Sequence, residues 1–125
     1  MIVMKLLLEN WQKYITEFKV PELDSVAQEL GIELRIYDDE RNNILTLDTI
    51  IVPKELRGQG LGSTAMEKII QYADKNGKIV ALTPSEAHGG SKTRLIKFYK
   101  QFGFVMNKGR NKNYATRELM IRNPQ

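Results

Sequence analysis

Leu47-Asp-Thr-Ile-Ile-Val-Pro-Lys-Glu-Leu-Arg-Gly-Gln-Gly-Leu-Gly62 is the stretch that decides the fold. From Leu47 to Val52 it is apolar on both parities apart from Asp48 and Thr49. Such a run reads as a strand covered on both faces, hence central. From Arg57 to Gly62, glycine then takes every second position, directly before a helical pattern of Leu61, Ala65, Ile69 and Ala73. A helix start offers unpaired N–H groups and the positive end of the macrodipole. Glycine adds access to positive φ and lets a ligand come close to the backbone. The turn therefore reads as an anion cradle for phosphate or pyrophosphate. The alternative is a tight strand-to-helix turn that needs small residues.

Outward from the turn, the strand begins at Ile44 and ends at Val52. Ile32 to Tyr37 alternates strictly and reads as its hairpin partner across the polar turn Asp38 to Asn43. Further upstream, Pro21 opens a short helix with Leu23, Val26, Ala27 and Leu30 on one face and Gly31 as its stop. Leu7, Trp11, Tyr14, Ile15 and Phe18 are spaced as the apolar stripe of an earlier helix. Downstream, Asn76-Gly77 ends the helix that follows the turn, and Ile79 to Thr83 is a buried-type strand closed by Pro84. A loop with Glu86, His88, Gly89 and Gly90 precedes a helix from about Ser91 to Gln101, stopped by Gly103. Phe104 to Met106 and Glu118 to Ile121 are short strands flanking the basic loop Lys108 to Lys112. Without repeats or a dividing linker, residues 1–125 read as one α/β domain, with the N-terminal helices in 1–31.

The absence of cysteine excludes disulfides, thiolate zinc sites, iron–sulfur ligation and a cysteine nucleophile, and no metal is expected. The apolar run in Met1 to Glu9 is too short to span a membrane and is broken by Lys5. It also lacks a positive leader, so a cytoplasmic location away from membranes is expected. Charge is uneven: residues 1–62 hold 7 basic and 11 acidic side chains (−4), and residues 63–125 hold 12 and 4 (+8). A basic second half points to an anionic ligand there.

Two phosphate-binding motifs fail on local detail. A Walker loop needs Gly-Lys-Ser/Thr, but Gly62-Ser63 has no lysine. A dinucleotide fingerprint needs a glycine where Ser63 stands. What remains is Arg57-x-x-Gly60-x-Gly62, and here the sequence resembles the GNAT superfamily of acyl-CoA N-acyltransferases, whose signature is Gln/Arg-x-x-Gly-x-Gly/Ala after a central strand. A second block, Leu95-Ile-Lys-Phe-Tyr-Lys-Gln-Phe-Gly-Phe104, is similar to that family's helix ending in Leu-Tyr-x-x-x-Gly-Phe. The resemblance covers 44–104, which it implies is the acyl-CoA-binding core. It also implies a mixed, mostly antiparallel sheet flanked by helices.

The resemblance further implies acetyl transfer from acetyl-CoA to a primary amine, of a small molecule or a protein, by direct attack. Backbone groups of Ile50, Ile51 and Val52 would hold pantetheine, with an N–H near Val52 polarising the thioester. Arg57, Gly58, Gln59, Gly60, Leu61, Gly62 and Ser63 would hold the pyrophosphate. Tyr99 stands where the family often places the tyrosine that protonates the departing thiolate. Lys92, where many members have asparagine, is a departure that could still meet a phosphate. For the base, Asp48 interrupts an apolar run, so burial would raise its pKa into a useful range; Glu86 and His88 are the other candidates. The acidic Asp38-Asp39-Glu40 hairpin would draw in a cationic amine.

Two other readings are a non-catalytic acyl-CoA sensor and a nucleic-acid-binding domain using Lys108, Arg110, Lys112, Arg117 and Arg122. The lack of a zinc motif, and a single aromatic (Tyr114) beside the run, disfavour nucleic acid. A monomer or homodimer is expected.

Overall fold

The computed structural model describes residues 20–84 and 91–125. The stripe Leu7, Trp11, Tyr14, Ile15 and Phe18 and the loop residues Glu86, His88, Gly89 and Gly90 lie outside the described residues.

Helix α1, Pro21–Leu30, starts on proline, whose missing N–H is no loss in a first helical turn. It buries Leu23 and Ala27 and stops at Gly31, which takes the left-handed conformation at φ 69°. Strands β1 (Glu33–Asp39) and β2 (Ile44–Ile51) form the expected hairpin. Helix α2, Leu61–Lys75, buries Ala65, Met66, Ile69 and Ala73 along one stripe. Then follow β3 (Ile79–Leu82), α3 (Lys92–Lys100), β4 (Val105–Met106) and β5 (Met120–Arg122).

The sheet has the order β1-β2-β3-β5-β4. Only β2 and β3 are parallel; the other pairs are antiparallel. This is the mixed, mostly antiparallel sheet expected. On one face Leu45, Leu47, Val80, Leu82 and Met120 pack with Met66, Ile69 and Ala73 of α2 and Leu23 of α1. Each fully buried aliphatic side chain there contributes about 1.5–3 kcal/mol. The opposite face buries the smaller set Ile44, Ala81 and Ile121.

Three expectations are corrected. First, β2 is enclosed only over its first half. Ile44, Leu45 and Leu47 are buried, but Asp48 is exposed and Thr49 to Ile51 are half-buried. Second, Asp38 and Asp39 belong to β1 rather than to the turn. Asp38 is buried because the Lys78 Nζ donates to its Oδ1 at 2.6 Å. The turn is closed instead by Asn42, whose Nδ2 donates to Asp39 Oδ2 at 2.8 Å.

Third, the last strand extends to Arg122, which is buried and not part of an exposed basic surface. Its Nη1 donates to Asp74 Oδ1 at 2.8 Å and its Nε to the Phe102 carbonyl at 2.7 Å, joining α2 and β5 to the segment after α3. The Arg122 hydrogen bonds hold the Asp74 carboxyl below the usual carboxylate range. A depressed folded-state pKa stabilises above the unfolded value of about 3.9 and is lost as pH falls through the lower folded value. Melting temperature should therefore drop on acidification below about pH 4. Asp74→Asn should lower it at neutral pH and flatten part of that acid decline, as read by circular dichroism melts across the range.

Candidate functional site

The site begins where two strands part. Parallel pairing of β2 with β3 runs from Ile44↔Ile79 to Leu47↔Leu82, and β3 ends there. β2 continues to Ile51, paired with β1 on its other side. Beyond Leu47, no described strand meets the β3-facing edge of β2. A strand edge presents alternating N–H and C=O groups, a template for an extended, amide-bearing ligand.

A bulge sits at the fork. Arg35 pairs with Thr49 and Ile36 with Leu47, which leaves Asp48 as the extra residue. The core-facing parity therefore steps from Leu45 and Leu47 to Ile50, and Ile50 packs against both clusters of the α1/α2 face. The bulge also explains why the sequence is apolar on both parities, which mimics a strand covered on both faces. Asp48 Oδ2 accepts from the Thr49 hydroxyl at 3.3 Å. The burial on which its role as a tuned base rested is absent.

Past β2, the Arg57 Nε donates to the Val52 carbonyl at 3.2 Å and closes the turn. Gly58 and Gly60 have φ of 85° and 74°, values that L side chains rarely adopt. Gly60 caps α2, and its carbonyl accepts from the Thr64 N–H at 3.0 Å. The N–H groups of Leu61, Gly62 and Ser63 precede that first intrahelical bond, no side chain caps this end, and the first turn carries no acidic residue. Leu61 is half-buried against Ala27, Ile32 and Ala65, which anchors the helix start; Gln59 is exposed and Ser63 half-buried.

Gly62 is the informative glycine. It is not in the left-handed region, and a Cβ built there meets nothing within 4 Å. Among the described residues neither backbone conformation nor packing requires it, although glycine in a helix costs about 1 kcal/mol relative to alanine. The open position leaves room for a ligand to come close to the backbone. Gly62→Ala should therefore raise the melting temperature of the ligand-free protein slightly, by up to about 1 kcal/mol of stability, while weakening binding of a phosphate-bearing ligand in calorimetric titration.

Tyr99 lies on α3, half-buried, with ring centroids 5.3 Å from Phe98 and 5.8 Å from Phe104 in edge-on contact. It packs against the cluster holding Leu47 and Leu82, the last paired residues at the fork. Burial pushes its phenol pKa up, so it keeps its proton at neutral pH. Lys92 is the first residue of α3 and is exposed.

Sequence reasoning missed the tie between Thr83, just past β3, and the segment before β5. The Thr83 hydroxyl donates to the Glu118 carboxylate and accepts from the Leu119 N–H. No local pattern announces a contact between residues so far apart in the chain.

The expectation for the acidic hairpin is corrected. Its turn lies at the Ile44 end of β2, roughly 23 Å along the strand from Ile51. Asp38 there is already paired with Lys78.

Comparison with known proteins agrees with this fold. The sequence model of the Acetyltransferase (GNAT) family matches residues 31–104, more than half of the chain. An uncharacterised N-acetyltransferase of Methanocaldococcus jannaschii is 35% identical over 66 residues, which cover 52% of this chain and 27% of that protein. The match thus spans about a quarter of the length of that curated relative. Among solved structures, a GNAT-family acetyltransferase from Staphylococcus aureus Mu50 superposes with a TM-score of 0.56 at 17% identity, over 75% of this chain and 60% of that one. The anti-CRISPR protein AcrVA5 superposes with a TM-score of 0.55 at 21% identity, over 72% of this chain and 87% of that one. The ribosomal-protein-S18-alanine N-acetyltransferase of Escherichia coli gives 0.54 at 23% identity, over 72% and 59%. At these identities the structures share the fold.

Proposed function

We propose that this chain, which belongs to the acetyltransferase (GNAT) family, transfers an acetyl group from acetyl-CoA to a primary amine by direct attack. One observation carries the reading: β2 outruns β3 and leads through positive-φ glycines to an uncapped helix start. An extended ligand with a pyrophosphate at one end suits a free strand edge followed by an anion cradle. Acetyl-CoA has that form, and it supplies a thioester whose carbonyl accepts the nucleophile.

In this reading the amides of Gly58 to Ser63 bind the pyrophosphate, and the backbone of Ile50 to Val52 aligns the pantetheine arm. An N–H near Val52 faces the thioester oxygen, where negative charge grows as nitrogen attacks carbon. Losing one such donor costs ~2.7–4 kcal/mol in enzymes where it has been removed. The C–N bond forms, the C–S bond breaks, and Tyr99 gives the departing sulfur a proton. A phenol near pKa ~10 can serve a thiol near ~8.5, and the desolvated Tyr99 stays protonated until that moment. Lys92 supplies positive charge toward the phosphates, and the proton lost by the amine passes to solvent.

The test is a thermal-shift titration. Acetyl-CoA at about 100 times its Kd should stabilise by ~2.7 kcal/mol, and no shift at millimolar concentration would overturn the cofactor assignment. Tyr99→Phe should retain that shift and lower kcat about 10–100-fold, a limited loss because a thiolate is itself a fair leaving group. An unchanged rate of acetyl-enzyme-free turnover in Tyr99→Phe, followed by mass spectrometry of the amine product, would remove Tyr99 from the chemistry.

A further inference from the structure

We infer that the loop between β4 and β5 recognises the acceptor, and that it selects polypeptides with carboxylates beside the amine to be acetylated. This inference rests on the transferase reading above. Between Lys108 and Arg117 the chain carries four cations, Lys108, Arg110, Lys112 and Arg117, and no carboxylate. All four are exposed, and none pairs with an acidic side chain among the described residues. Tyr114 is 89% exposed among them, with the Lys112 Nζ 5.7 Å from its ring centroid.

These charges sit on a built loop. Asn107 is only 7% exposed. Its Nδ2 donates to the carbonyls of Asn113 (3.4 Å), Thr116 (3.3 Å) and Glu118 (2.9 Å), and its Oδ1 accepts from the Asn113 N–H at 2.6 Å. Two local turns tighten the far side, Ala115 N–H to Asn113 Oδ1 at 2.9 Å and Glu118 N–H to Thr116 Oγ1 at 3.2 Å. One buried side chain thus spans the loop and holds together like charges that have no counter-ion among the described residues, a surface that an anionic partner would relieve.

The loop is also in the right place. β5 pairs with β3 through Leu82↔Met120, so the loop leaves the sheet at the end where β2 and β3 part. Thr83 ties it there through Glu118 and Leu119. The glycine turn follows β2, on one side of the fork, while this loop stands on the other side, beyond β3. The acidic hairpin lies at the far end of the sheet. An amine reaching the fork therefore passes a positive rim. Single-stranded nucleic acid would need aromatic platforms for successive bases. Here Tyr114 is alone and Lys112 lies over its face. A short run of carboxylates fits better.

The probes are C-terminally labelled peptides with a free N-terminal alanine followed by a run of Glu, of Gln or of Lys, together with oligothymidylate. The wild type should bind and acetylate the Glu peptide roughly tenfold better than the Gln peptide, and worst of all the Lys peptide, with the preference fading as salt rises. In Lys108→Gln/Arg110→Gln/Lys112→Gln/Arg117→Gln the preference should collapse while the acetyl-CoA thermal shift stays. Equal use of Glu and Gln peptides by a wild type that responds to acetyl-CoA overturns this inference alone. Loss of the acetyl-CoA shift in the quadruple variant overturns it in favour of a cofactor-binding loop. Tighter binding of oligothymidylate than of the Glu peptide overturns it in favour of a nucleic-acid surface. Peptide binding without any response to acetyl-CoA overturns the transferase reading, and the acceptor role with it.

Discussion

Gly60→Glu is expected to abolish both the acetyl-CoA-induced rise in melting temperature and acetyl transfer. Gly60 occupies the left-handed region at φ 74° and caps α2, with open space where a Cβ would lie. A Cβ there meets nothing within 4 Å among the described residues, so the fold should survive at a conformational cost of roughly 1–2 kcal/mol. What it adds is a carboxylate at the mouth of an uncapped helix, competing for the amides of Leu61, Gly62 and Ser63 and repelling a pyrophosphate. For the wild type, ~2.7 kcal/mol of ligand stabilisation corresponds to a shift of roughly 8–12 °C; the variant should show none at the same concentration. Gly60→Asn separates charge from shape, because asparagine tolerates the left-handed region and brings no charge. It should keep a measurable shift. A full shift in Gly60→Glu would mean that the anion lies elsewhere.

Lys78→Met should cost about 3–5 kcal/mol of stability, the cost of leaving a buried charge without its partner. The methionine keeps most of the apolar stem and removes the ammonium that donates to Asp38 at 2.6 Å, with the two side chains 10% and 8% exposed. For a domain whose net stability is about 5–15 kcal/mol, this is a large fraction. Replacing both partners, Lys78→Met with Asp38→Leu, should recover most of the loss, since a well-packed apolar pair is often as stable as a buried ion pair. The pair lies at the hairpin end of the sheet, so acetyl-CoA should shift both variants as it does the wild type. Chemical denaturation of the single and double variants measures the recovery; a double variant no better than Lys78→Met alone would show that packing, not charge, holds this corner.

The sequence carried the hairpin and the turn because both leave local marks. Ile32, Leu34 and Ile36 alternate inward, and the left-handed conformations at Gly58 and Gly60 admit few residues other than glycine. Gly31 and Gly77 marked the helix ends for the same reason. Asp38 was misassigned because its partner, Lys78, is 40 residues away, and nothing local distinguishes a paired buried aspartate from a turn residue. Arg122 looked like part of a basic surface until Asp74, 48 residues upstream, supplied its counter-charge. The hub at Asn107 was silent, since asparagine before a polar loop is ordinary. In the candidate site, the glycines were legible through spacing and Tyr99 only through the resemblance of its helix to the family's, whereas the end of β3 at Leu82 is a property of strand pairing.

The bulge at Asp48 makes the site a matter of counting rather than of chemistry. β2 is a ruler with one extra tick: its first half keeps step with both β1 and β3, and its second half keeps step with β1 alone. Exchanging Thr49 or Ile51 for another residue of similar shape leaves that count intact. Deleting Asp48 would leave Arg35↔Thr49, Leu34↔Ile50 and Glu33↔Ile51 as partners but erase the extra tick, so the ladder would run regular and the strand would lose its local bend at the fork.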